Sequence, residues 1–86
     1  MPYIKEKENR RVMNRIIELF GHVIRPNGNL NYFLFALAKK QCKSYNQYKE
    51  FIGELECAMD EIKRRQLHPY EDNKIKQNGD VIVSEL

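Results

Sequence analysis

A run of seven residues, Tyr32-Phe33-Leu34-Phe35-Ala36-Leu37-Ala38, constrains this chain more than any other feature. Wound into a helix, its side chains point nearly all round the axis. A helix that is apolar on every side has to be covered on more than one. The whole chain has 86 residues, which is one domain at most. A domain of that size buries only a modest share of its surface. The apolar helix is therefore expected either to be central or to meet a second copy, and a homo-oligomer is expected. The run is too short to cross a bilayer, so no membrane partner is expected.

The rest of the pattern is helical as well. Val12, Met13, Ile16, Ile17, Leu19, Phe20, Val23 and Ile24 recur at three- and four-residue spacing, which predicts a first helix from about Lys5 to Phe20 or Ile24. Arg25-Pro26-Asn27-Gly28-Asn29 is a loop, because Pro breaks the helix and Asn-Gly tolerates positive φ. Asn29 is the expected cap of a second helix, about Leu30 to Lys43. Ser44 with Gln47 three residues on has the form of a capping box. It opens a third helix reaching about Leu67, with Tyr48, Phe51, Ile52, Leu55, Ala58, Met59 and Ile62 on its apolar face. Its back carries Gly53 and Cys57 one turn apart, a solvated face or a place of close backbone approach.

Pro69 is expected to stop the third helix and open a short fourth one, with Glu71 and Asp72 in its first turn. Asn78-Gly79 would close it. The rival, a hairpin turned by Asn-Gly, is weakened by Lys74, Lys76 and Gln77, which are poor strand formers. The expected fold class is all-α: a small bundle of three main helices plus a short C-terminal helix. Residues 1–80 form the domain and 81–86 a tail that frays or adds to a partner. Ile16, Leu34, Leu37, Leu55, Met59 and Ile62 are the expected core.

Charge and cysteine usage narrow the function. Fifteen Lys and Arg against 12 Asp and Glu leave a net charge of +3. That is too little for general nucleic-acid binding, and no specific DNA or RNA is predicted. Residues 1–43 hold nine basic and three acidic residues, and residues 44–86 hold six and nine, an asymmetry suited to pairing within or between chains. Cys42 and Cys57 fit neither a disulfide framework nor a metal spacing. With no signal peptide, the location is expected to be cytoplasmic.

The polar residues concentrate around Pro69. Arg64 and Arg65, then His68, Tyr70 and Lys74, surround the expected helix break. Two guanidiniums there can grip a phosphate or carboxylate, and Tyr70 offers a face and a polar tip. The plainer reading is surface ion pairing, Asp60 with Arg64 and Glu61 with Arg65, each a weak pair one turn apart. Asn31 and Tyr32 add polar edges at the start of the second helix. The other aromatics at helical spacing read as core.

Catalytic constellations are thin. Glu56 and Asp60 lie one turn apart and would bridge a divalent cation only with carboxylates from other helices, which are scarce. His22 and His68 lack a third ligand at zinc spacing. Cys57 and His68 cannot meet within one helix. No nucleophile–base pair is present, so no enzyme activity and no cofactor are expected.

Across nearly the whole chain, Met1-Pro2-Tyr3-Ile4, Leu30-Asn31-Tyr32, Gly53-Glu54-Leu55-Glu56-Cys57-Ala58, Arg64-Arg65, Pro69-Tyr70-Glu71-Asp72, Lys74-Ile75 and Asn78-Gly79-Asp80-Val81 resemble a family of small helical proteins of unknown function from bacteria and phages. Asn29 stands where that family often has Glu, and Ile82–Leu86 extend past its usual end. The resemblance brings no activity. It implies a small phage-type protein that binds something its host makes, either a signalling nucleotide to sequester or a defence protein to block. The expected function is non-enzymatic capture of a small anionic, nucleotide-like ligand by Arg64, Arg65, His68, Tyr70, Lys74, Asn31 and Tyr32. Its rivals are a protein-binding inhibitor acting through a helical surface and a metal-dependent nucleotide hydrolase using Glu56 and Asp60.

Overall fold

A computed structural model describes residues 3–82; the end of the expected tail, residues 83–86, lies outside the described residues. Helix α1 spans Lys7–Phe20, α2 spans Asn29–Gln41, α3 spans Tyr45–Ile62 and α4 spans His68–Asn78. A π-helical turn, Lys63–Leu67, joins α3 to α4 without a break. The molecule is therefore all-helical with three helical bodies, the last one long and bent. No strand occurs among the described residues, so the hairpin alternative is absent there.

Local chemistry accounts for the boundaries. Gly28 has φ of 105°, a region that L side chains avoid, and it turns the chain into α2. Asn29 is not the cap, as expected, but the first helical residue; its amide nitrogen Nδ2 donates to Val23 O at 2.8 Å and ties the loop to the helix start. Ser44 caps α3 by accepting the Gln47 N–H at 3.3 Å. The return bond of the box is displaced by one residue, since Gln47 Oε1 accepts from Lys43 N–H at 2.6 Å. Gly79, with φ of 87°, ends α4, and its N–H donates to Ile75 O.

The packing departs from the expected core. Cys42, at the corner between α2 and α3, is the single buried residue among those described. Leu34 and Leu37 are half-buried, while Ile16, Leu55, Met59 and Ile62 are exposed. The apolar pattern marks which side of each helix seeks cover, but α1, α2 and α3 stand too far apart to supply it to one another. The radius of gyration is 17.8 Å, against about 12 Å for a compact chain of this length. The surface exposed is 8171 Å², against about 5,400 Å² for a compact monomer of this mass. The molecule extends 53 Å along its longest axis and about 30 Å across.

Candidate functional site

The expected helix stop at Pro69 is instead a widened helix. Proline has no N–H to give, and its ring clashes with the carbonyl four residues back. Here the chain loosens just before it, and His68 N–H donates to Lys63 O, five residues back rather than four. The extra residue in the turn absorbs the missing donor, and Pro69 falls in the first turn of α4, where its fixed φ is tolerated. Arg64 and Arg65 both lie inside this π turn. Such turns are rare and recur at functional sites.

Arg64 does not stand free. Its Nη2 lies 2.9 Å from Glu61 Oε2 and its Nε 3.2 Å from Glu61 Oε1, a two-pronged pair one turn apart. The expected pairs were Asp60–Arg64 and Glu61–Arg65; a spacing of three wins because it lets the guanidinium meet both carboxylate oxygens. Tyr3, from the N-terminal arm, completes the cluster. Its hydroxyl donates to Glu61 Oε2 at 2.9 Å and accepts from Arg64 Nη2 at 3.1 Å. The Arg65 guanidinium lies 6.0 Å from the Tyr3 ring centroid, at the outer reach of a cation–π contact. Glu61 is the most sheltered partner, its side chain 19% exposed against 65% for Arg64. The Arg64 hydrogen bond holds the Glu61 carboxyl below the usual carboxylate range despite partial desolvation, with the Tyr3 hydroxyl helping, and Glu61 raises Arg64 in return.

Arg10 anchors the other end of the arm. Its Nη1 donates to Ile4 O at 2.6 Å and to Lys5 O at 3.2 Å. The segment before α1 is thus clamped at both ends, to α1 by Arg10 and to the π joint by Tyr3.

The remaining expected site residues divide between two places. Tyr70 is exposed on α4, and the Lys74 ammonium sits 5.6 Å from its ring centroid, one turn further on. His68 is exposed at the start of α4. With Arg65 these residues line the bent rod close to the π turn. Asn31 and Tyr32 are on α2 and open into different grooves. Asn31 lines a wide groove of about 890 Å³ between α2 and α3, together with Leu30, Leu34, Phe35, Tyr48, Phe51, Ile52 and Leu55. Tyr32 lines a smaller one, about 390 Å³, with Ile24, Phe33 and Leu37. Neither groove is lined by a residue of the π joint.

No three His, Cys, Asp or Glu side chains among the described residues come together as metal ligands, so Glu56 and Asp60 have no third ligand beside them there. Cys57 is exposed on the back of α3, and a Cβ added at Gly53 would meet open space, so no backbone among the described residues packs against Gly53. No described helix is long and apolar enough to cross a membrane.

One family model matches this chain over residues 1–81. The chain belongs to the family described as Domain of unknown function (DUF6899). Neither the curated proteins nor the solved structures searched contain a match.

Two contributors to the joint of this DUF6899 chain were not singled out from the sequence. Tyr3 lies 58 residues before Glu61, and a tyrosine near an N-terminus carries no local signal of where it docks. Glu61 was expected to pair with Arg65 and not with Arg64. The available hint was spacing: among the acids of α3, only Glu61 sits three residues before Arg64.

Proposed function

We propose that the protein is a non-enzymatic binding module that captures a small anionic ligand of nucleotide type, and that it works as an assembly of identical chains. The observation that carries this reading is the π joint. Cationic and aromatic side chains are exposed there on one bent helix, at a distortion of the kind found at functional sites. Arg65 and Lys74 supply charge, Tyr70 a ring face and His68 a further donor. Arg64 acts differently: engaged by Glu61 and Tyr3, it positions the arm and gives the joint its shape. A single rod offers little concavity, and ligand sites are concave. The pocket is therefore closed by a neighbouring chain, and the exposed Tyr32 on that chain's α2 adds a polar edge.

Calorimetric titration of the full chain with mono- and dinucleotides at low salt tests this. Binding is expected for the wild type and is expected to be lost in Arg65→Ala and Tyr70→Ala. Phosphate alone should bind far more weakly, because it lacks a base to stack on Tyr70. A flat titration across the whole panel overturns the nucleotide reading.

A further inference from the structure

The wide groove between α2 and α3 and the apolar face of α1 are both left uncovered. The groove is lined by residues of α2, α3 and the preceding loop, and by none of α1. Its floor is apolar and poorly covered, with Phe35 69% and Ile52 53% exposed. On α1, Val12, Met13, Ile16, Ile17 and Phe20 form one stripe and are 41–64% exposed. We propose that α1 of a second copy lies in the α2–α3 groove, and that the two copies exchange α1 reciprocally about a twofold axis. This rests on the reading that the protein works as an assembly, and it names the surfaces that build it.

Shape and area select this occupant. The stripe from Val12 to Phe20 spans about 12 Å of helix, and the α2 wall from Leu30 to Lys39 about 14 Å, at 1.5 Å per residue. A convex helix fits a concave groove, whereas two such grooves face to face leave a void. The copy's own α1 is held out of the groove by the clamped arm, since Tyr3 is fixed to Glu61 and Arg64 beyond the far end of the α3 wall. The surface exposed beyond that of a compact monomer is about 2,800 Å² per chain, or about 5,600 Å² for two chains, which is enough for the largest interfaces that obligate dimers bury.

Light scattering on the full chain, together with single-cysteine cross-linking, tests the inference. The wild type is expected at about 21 kDa or a multiple of it, twice the 10.3 kDa chain. Ile17→Glu and Phe35→Glu are each expected to give a 10.3 kDa species that keeps its helical circular dichroism, because both positions are more than half exposed within one chain. In a Cys57→Ser background, mixing Ile17→Cys with Ile52→Cys should give a covalent heterodimer under mild oxidation, and neither variant alone should cross-link as fast. An oligomer that survives Ile17→Glu and shows no such cross-link overturns the α1 exchange while leaving the assembly reading intact. A wild-type monomer at micromolar concentration overturns both, and leaves the groove to a helix of another protein.

Discussion

Pro69→Ala separates the shape of the helix joint from its stability. The π turn exists because position 69 has no N–H and its ring excludes the Arg65 carbonyl. Restoring an amide there allows a bond to the Arg65 carbonyl, four residues back, which contributes about 1 kcal/mol net. The change also frees the unfolded chain, which costs about 0.4–1 kcal/mol. The larger helix-interior penalty of proline does not enter, since Pro69 already sits in the first turn of α4. These terms nearly cancel, so the midpoint of thermal unfolding is expected to move by only a few degrees. The geometry does not cancel. Removing the extra residue of the π turn rotates everything beyond it by about 100° relative to α3. Tyr70 and Lys74 keep each other, because both ride on α4, but they leave the side of the rod that carries Arg65. Amide exchange followed by NMR, combined with nucleotide titration, reads both effects. The expected result is a newly protected amide at position 69, near wild-type stability and lost ligand binding. An unprotected amide there, with His68 N–H still bonded to Lys63 O, refutes proline as the cause of the π turn.

Two further outcomes follow from the contacts. Because the folded Glu61 carboxyl titrates below its ordinary value, its contribution to docking the Tyr3 arm is complete above the ordinary carboxylate range and is lost as pH falls through the lowered folded value. Nuclear Overhauser contacts between the Tyr3 ring and Arg65 should therefore persist at pH 6 and vanish in strong acid, and in Glu61→Gln they should be weak at every pH; contacts that persist at pH 2 would show the arm is held by something else. Ser44→Ala removes the oxygen that accepts Gln47 N–H and should cost about 1 kcal/mol in chemical denaturation, with helix content otherwise unchanged; no loss would mean that the Gln47–Lys43 bond alone fixes the corner.

What the sequence determined by itself is local. Ser44 and Gln47, Gly28 and Gly79 act on atoms within four residues, so their caps and turns could be placed from residue type and spacing. The helical period likewise located all three helical bodies. Pro69 marks the limit of such reading: proline forbids the ordinary bond, and a break and a π turn both satisfy that prohibition. The surrounding chain selected the turn, with Arg64 held by Glu61 and Tyr3 on one side and α4 continuing on the other. The candidate site shows the same division. Tyr70 and Lys74 were both placed near the helix joint from local sequence, whereas the docking of Tyr3 on Glu61 joins residues 58 positions apart and has no sequence period to reveal it. Burial was the least legible property. Leu55, Met59 and Ile62 carry an apolar pattern that says which way each side chain must face, and it is silent on whether the covering atoms belong to the same chain. Only the tertiary arrangement decided that, by holding α1, α2 and α3 apart and leaving those faces open. The physical reason is that hydrophobic free energy depends on area removed from water and is indifferent to which molecule removes it.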